Sequence, residues 1–325
     1  MSHSRRVLFL VTLLLALFSL GATVSPEATD YDYIYVSVSS DGMTEDGLEY
    51  QRSDILGSAG LGQPWFTYFD GQEYGLTTQG VNAFDFEAVM PASNAVAPTE
   101  PIYMSFGQNR VRVPDIPGWV YAHDVVKFIP DGLVNQTYTY EMYFDGSDVG
   151  LTTNTERLDS LSVYDMSGPF AALVPDDCAA GVLFVSTMRN YRVPAADGGS
   201  LTGPGGDILA FCASNLGPDT AGVWYRAFSA VAAGLSPRVA IRSLSIQDFG
   251  HGPGPNDWWL EFAFVARTDF TVGSYEGTAN TIYLYDTAMG VEEEILNLNY
   301  DYPMLNGQVS ALLVYPAPIV CGAAC

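Results

Sequence analysis

Short apolar runs separated by turn residues dominate the hydrophobic pattern of the chain. In the clearest stretch these runs cover residues 65–70, 82–89, 102–107 and 124–129, with Gly, Pro, Asp and Thr between them. They are rich in Phe, Tyr, Val and Ile, the residues favoured in β-strands. Runs such as 182–185 are apolar at consecutive positions, which indicates strands covered on both faces. Helical periodicity is almost absent, so the pattern predicts an all-β fold.

The pattern also repeats along the chain. Residues 68–78 read Tyr-Phe-Asp-Gly-Gln-Glu-Tyr-Gly-Leu-Thr-Thr, and residues 143–153 read Tyr-Phe-Asp-Gly-Ser-Asp-Val-Gly-Leu-Thr-Thr. Most positions match, which chance does not supply, and such self-similarity is the signature of a repeat architecture. A third, decayed copy begins at Trp224 and lacks the Asp-Gly turn. The repeats predict units of four strands each, at about 65–139, 140–223 and 224–290.

Each end of the repeat region supplies half of a further unit. Residues 33–60 resemble a second half, and residues 297–315 resemble a first half. The two halves complete one another if the chain closes into a ring, so we expect one β-repeat domain over residues 30–316. Four such units predict a closed toroid of the β-propeller type. One or two β-sandwiches, which also use short strands and Gly-rich turns, are the alternative.

The first residues have the pattern of an export signal. Arg5 and Arg6 precede an apolar run from Val7 to Leu20, and small residues follow it. The run is shorter than the roughly 20 residues that span a bilayer. We therefore expect a signal peptide over residues 1–22, a secreted or surface-located product, and no transmembrane segment in the mature chain.

Four cysteines in an exported chain indicate disulfides, because oxidising compartments preserve them. Cys178 lies just before one predicted strand and Cys212 ends another, so antiparallel pairing of those strands would bring the two together. We expect a Cys178–Cys212 bridge. Cys321 and Cys325 remain in a C-terminal tail, residues 317–325, either bridged to each other or free.

The charge balance narrows the possible partners. The chain carries 37 Asp and Glu against 13 Lys and Arg, a formal net charge of −24. Nucleic acids and anionic membranes require clustered basic residues, so neither is expected as a partner. A hydrophobic content of 48% excludes a disordered acidic tail. An extracellular protein or a glycan is the expected partner.

Catalytic motifs are absent from the sequence. It contains no nucleophile elbow, no zinc-protease helix, no phosphate-binding loop and no dinucleotide fingerprint. These absences favour a non-catalytic binding or scaffold module with an unknown ligand. The alternative is a secreted hydrolase that uses carboxylates at the central channel of a propeller.

Repeat phase separates residues that serve the fold from candidates for function. A residue that recurs at the same phase, such as Arg112 and Arg192, is expected to serve each unit, here by pairing with carboxylates. Aromatic residues outside the repeat phase, and the histidines near them, are the candidates for ligand binding because exposed rings stack on sugars or anchor proteins. These candidates are Trp119, Tyr121, His123, His251, Trp258 and Trp259.

A calcium site is a further possibility. Asp145 and Asp148 lie in one Asp-Gly loop, and Asp159 follows it; carboxylate oxygens suit calcium. Their spacing matches no standard calcium loop, and Asp-Gly is also an ordinary turn sequence. We expect no other cofactor.

The segment at 143–151, Tyr-Phe-Asp-Gly-Ser-Asp-Val-Gly-Leu, and the linker at 215–224 resemble tandem repeats in uncharacterised secreted bacterial proteins. The resemblance covers most of residues 33–285. It implies export and a repeat architecture, and it implies no activity.

Overall fold

The computed structural model describes residues 31–44, 47–59, 63–77, 79–86, 98–131, 137–166, 174–176, 178–251, 257–273, 275–279, 281–288, 290–297 and 309–316. The predicted signal peptide, Cys321 and Cys325 lie outside these residues. Among the residues described, no helix is long and apolar enough to cross a membrane.

The described residues form β-strands and two short 3₁₀ turns, Gly146–Val149 and Asn154–Glu156. The strands of the first half are β1 (Tyr31–Val38), β2 (Gly42–Met43), β3 (Glu49–Tyr50), β4 (Ile55–Ser58), β5 (Trp65–Phe69), β6 (Val81–Phe86), β7 (Ile102–Phe106), β8 (Arg110–Val111), β9 (Val120–Tyr121), β10 (Val125–Pro130), β11 (Tyr138–Phe144) and β12 (Leu158–Asp165). Those of the second half are β13 (Gly181–Thr187), β14 (Tyr191–Pro194), β15 (Ser200–Gly203), β16 (Ile208–Asn215), β17 (Ala221–Phe228), β18 (Ile241–His251), β19 (Trp258–Ala266), β20 (Phe270–Val272), β21 (Tyr275–Gly277), β22 (Thr281–Asp286), β23 (Gly290–Asn297) and β24 (Val309–Pro316).

Four antiparallel four-stranded sheets form the blades of a β-propeller, which confirms the predicted fold class. From the innermost strand outward, blade 1 is β24-β1-β4-β5, blade 2 is β6-β7-β10-β11, blade 3 is β12-β13-β16-β17, and blade 4 is β18-β19-β22-β23. Each innermost strand contacts the innermost strands of the two neighbouring blades. The ring is therefore closed around a central axis.

The two ends of the described chain close the ring within blade 1. Strand β1 pairs antiparallel with β24 from Tyr31 opposite Pro316 to Val38 opposite Val309. The pairing of an N-terminal half-unit with a C-terminal half-unit is thus confirmed. The sheets begin one strand later than the sequence units do, because β5 ends blade 1 and does not begin blade 2.

Within the described residues, the hydrophobic core consists of four clusters, one between each pair of neighbouring blades. Between blades 2 and 3, for example, Phe144 packs against Phe211 and Trp224. Every residue of β13 is buried. Strands packed on both faces explain the consecutive apolar runs in the sequence.

The decayed third copy is folded like the others, and blade 3 is cross-linked. Strands β18, β19 and β22 bury the apolar residues of this copy, which include Leu244, Ile246, Phe262, Phe264, Ile282 and Leu284. The Cys178–Cys212 disulfide is confirmed, with Cα atoms 4.6 Å apart. Val182 lies opposite Cys212 in the antiparallel pair β13–β16, which is the predicted arrangement.

One end of the ring carries a short hairpin in every blade. The hairpins β2–β3, β8–β9, β14–β15 and β20–β21 each connect the second strand of a blade to its third. The innermost strands run in the same direction: Asn82 bonds to Leu158, and farther along, Asp85 accepts from Val163. All four hairpins therefore lie at the end where the innermost strands begin. We call this end the hairpin face and the other end the opposite face.

Candidate functional site

The six aromatic and histidine candidates fall on different ends of the ring. Trp119, Tyr121 and His123 belong to the connection between β7 and β10, on the hairpin face. The other three lie where β18 ends and β19 begins, which is on the opposite face: His251, Trp258 and Trp259. They therefore form two separate groups.

Trp119 lies between two arginines at the tip of the β8–β9 hairpin. The guanidinium carbons of Arg110 and Arg112 are 4.6 Å and 4.2 Å from the centroid of its ring, within the range of cation–π interactions. Its side chain is 41% exposed, and Arg112 also donates to the carbonyl of Gly118. Within the described residues neither Arg112 nor Arg192 forms an ion pair, contrary to the expectation from repeat phase.

Tyr121 and His123 stack on each other with nearly parallel rings, whose centroids are 5.6 Å apart. Tyr121 is exposed, whereas His123 is buried, and this burial lowers the pKa of its imidazole. The neighbouring Asp124 accepts the backbone N–H groups of Tyr121 and Gly146. His123 is thus part of the junction between blades, and Tyr121 is the accessible member of the pair.

On the opposite face, His251 packs against Trp258 with ring centroids 4.5 Å apart. Trp258 is buried, whereas Trp259 is 48% exposed. Among the described residues, neither Nε2 of His251 nor Nε1 of Trp258 has a hydrogen-bond partner. Only Trp259 of this group presents a large surface to solvent.

The three calcium candidates serve separate contacts. Asp145 caps the 3₁₀ turn by accepting from Ser147, and Asp148 accepts the backbone N–H of Thr220. Asp159 forms an ion pair with Arg267. The described part of the chain contains no group of three His, Cys, Asp or Glu side chains that could hold a metal ion.

The arginines form a second pattern, which the sequence alone did not reveal. Every arginine beyond residue 30 lies in a loop of the hairpin face or within two residues of a strand end there. The remaining basic residue, Lys127, lies within β10. The arginines are Arg52, Arg110, Arg112, Arg157, Arg189, Arg192, Arg226, Arg238, Arg242 and Arg267. In a chain of net charge −24, the arginines beyond residue 30 are thus confined to one end.

Four of these arginines line a cavity of about 270 Å³ at the hairpin face, beside the start of the innermost strands. They are Arg52, Arg157, Arg242 and Arg267, and the described residues that line the cavity with them include no carboxylate. Burial, together with the positive charges of Arg267 and Arg157, lowers the pKa of Arg242 to about 10. The cavity therefore concentrates positive charge in a partly desolvated place.

A second cavity of about 560 Å³ lies nearby on the hairpin face, and Arg189 and Arg238 line it. Both side chains are exposed. Within the described residues neither forms an ion pair. The hairpin face thus has guanidinium groups available to an external anion.

The sequence matches no protein-family model, and no curated protein matches it. The resemblance to secreted tandem-repeat proteins stays a prediction. The argument for function therefore rests on the geometry of the hairpin face.

Proposed function

We propose that this protein is a secreted, non-catalytic binding module that binds an acidic glycan at its hairpin face. The observation that carries the proposal is the confinement of all arginines beyond residue 30 to that face. Guanidinium groups pair with carboxylate and sulfate oxygens in a bidentate geometry. The predicted signal peptide and the resemblance to exported repeat proteins support an extracellular location.

The exposed rings favour a glycan over an acidic protein. Trp119 and Tyr121 are both about two-fifths exposed, and Trp119 lies against Arg110 and Arg112. A sugar ring can stack on an aromatic face while its acidic group pairs with the adjacent guanidinium. This combination of flat rings and arginines suits a chain of uronic acids or sulfated sugars.

The separation of charge also determines how binding depends on salt. A protein of net charge −24 repels a polyanion at long range, so binding requires a local positive field at close range. We expect affinity to fall as salt rises, because exposed charges are screened.

The proposal is tested by binding of the exported protein to immobilised polygalacturonate and dextran sulfate, with uncharged dextran as the reference polymer. We expect the Arg189→Ser/Arg238→Ser variant to bind the acidic polymers about tenfold more weakly, since both arginines are exposed and line the same cavity of the hairpin face. The matched control is Met166→Glu/Val223→Glu, which changes net charge equally at exposed positions of the opposite face and should keep the affinity.

Two outcomes would contradict the proposal. Equal binding to dextran would show that charge is not recognised, and an equal loss in the control variant would show that only net charge matters. The hydrolase alternative is tested in the same samples, because cleavage would release new reducing ends from the acidic polymer. No release over the course of binding is expected.

A further inference from the structure

The mouth of the central channel on the hairpin face has a different side chain in each blade. The second residue of each innermost strand lies at this mouth, and the four residues are Asn82, Asp159, Arg242 and Ser310. All four innermost strands contact one another around the axis. The channel mouth is therefore a polar ring without four-fold symmetry.

Arg157 and Arg267 flank this ring, and each also occurs in one blade only. Arg157 directly precedes β12, a position that Gly80 and Ala240 occupy in blades 2 and 4. Arg267 directly follows β19, and the equivalent residues are Ser39, Gly107 and Met188. Because small or neutral residues suffice in the other blades, folding of a blade does not require these arginines.

Asp159 is the carboxylate that interacts with Arg157, Arg242 and Arg267 at the mouth. Asp159 pairs with Arg267, while Arg157 donates one N–H to the carbonyl of Gly107 at 3.1 Å. The Nε atoms of Arg157 and Arg267 are buried and have no hydrogen-bond partner among the residues described. Burial lowers the pKa of Arg157, and Arg267 lowers it further. Unsatisfied buried donors and repelling charges both oppose folding, and a bound anion would relieve both.

We infer that this cavity binds a single oxyanion group, such as a carboxylate, sulfate or phosphate, between Arg157, Arg242 and Arg267, with Arg52 at its rim. The volume of about 270 Å³ accommodates such a group and a few water molecules. Asn82, Gln108 and Ser310 add neutral polar groups to the lining. The inference rests on the proposed function, because the oxyanion would be the acidic substituent of the bound glycan.

Isothermal titration of the exported protein with sodium sulfate, sodium phosphate and sodium galacturonate, in chloride buffer of matched ionic strength, tests the inference. We expect saturable binding of at least one anion, and the strongest of the three identifies the substituent. Arg157→Met should weaken that binding about tenfold, and Arg52→Ser, at the exposed rim, by a smaller factor. Arg192→Ser, which removes an exposed arginine outside the cavity, should leave it unchanged.

Thermal unfolding separates loss of the site from loss of the fold. The wild-type melting temperature should rise when the bound anion replaces chloride, and Arg157→Met should remain folded in chloride but lose that rise. No rise in the wild type, or an equal rise in Arg157→Met, would overturn the inference.

The failure of this inference is distinguishable from failure of the proposed function. If the acidic polymers bind through Arg189 and Arg238 but none of the three small anions binds, only the cavity site is refuted. If the small anions bind and no acidic polymer does, the cavity site is retained and the proposal that the ligand is an acidic glycan is refuted.

Discussion

The same type of hydrogen bond connects blade 2 to blade 3 and blade 3 to blade 4. In each, a buried aspartate directly before the third strand, Asp124 or Asp207, accepts a backbone N–H from the loop that enters the next blade. The donor is Gly146 at the first junction and Ala230 at the second. The Asp-Gly sequence is thus lost at the second junction while the hydrogen bond is retained.

The glycine has changed sides between the two junctions. A Cβ atom on Gly146 would lie 2.3 Å from the carbonyl oxygen of His123, so only glycine fits there. At the second junction the residue before the aspartate is Gly206, and a Cβ atom on it would lie 2.5 Å from the carbonyl oxygen of Val239 and 3.0 Å from Cβ of Ala230. Each junction therefore needs one glycine, on either partner. The loss of the Asp-Gly sequence in the third copy therefore reflects a different position of the glycine, while the structure of the junction is retained.

The two carboxyls also differ in their second set of partners. Asp124 accepts the backbone N–H of Tyr121, whereas Asp207 accepts the hydroxyl of Tyr191 and lies 3.2 Å from Nε of Arg226. The residue of blade 2 that corresponds to Arg226 is Met142. Among the described residues, the second junction thus provides an arginine for its carboxylate, whereas the first places the imidazole of His123 3.8 Å from Asp124.

The largest expected effect of this difference is on how the free energy of unfolding depends on pH. Burial raises the pKa of Asp124 to about 7; it also raises that of Asp207, where Tyr191 and Arg226 act in the opposite direction. Because the folded-state pKa of Asp124 lies above its unfolded value, the free energy of unfolding should fall as pH rises from about 4 to about 7. Asp124→Asn should flatten this fall, and Asp207→Asn should flatten it less.

Urea unfolding at a series of pH values measures this effect. Two other buried groups also contribute to the pH dependence of the wild type. Burial raises the pKa of Asp85 to about 7 and lowers the pKa of His123. Both contributions are present in each variant, so the difference between a variant and the wild type reports the substituted aspartate. An equal change of slope in both variants would contradict the role assigned to Arg226.

A smaller effect is expected from the glycine exchange. Gly146→Ala should destabilise the fold by about 2 kcal/mol, because the new methyl group overlaps the carbonyl of His123. Ala230→Gly, the matched change at the second junction, should cost about 1.5 kcal/mol, because it adds backbone entropy and removes a buried methyl group but creates no overlap. Thermal or urea unfolding measures both, and an equal cost would show that the close contact at Gly146 is unimportant.

Much of the architecture could be predicted from the sequence because the repeats carry it. The recurrence of 68–78 at 143–153, the consecutive apolar runs and the two half-units predicted a closed ring of four sheets. The repeats do not show which strand begins each sheet, because a repeat that begins at Trp65 has the same period as one that begins at Val81. Hydrogen-bond pairing decides between the two.

The arginine cavity was not predicted, although one signal was available. Arg157 directly precedes blade 3, whereas Arg242 and Arg267 lie on neighbouring strands of blade 4, and the proximity of all three depends on strand pairing and direction that composition does not contain. Each nevertheless lacks a counterpart at the same repeat phase, the criterion that had selected Trp119 and Trp259. Strand direction separates the aromatic residues without a counterpart onto two faces and brings these arginines together on one.

Hydrogen exchange of the protein with and without polygalacturonate tests the central claim, that the hairpin face is the binding surface. We predict slower exchange in the loops of the hairpin face, at 107–124, 145–157, 188–207 and 229–240, and unchanged exchange at 216–220 and around Trp259 on the opposite face. Slowing confined to the opposite face, where Trp259 is the exposed ring, would contradict the account.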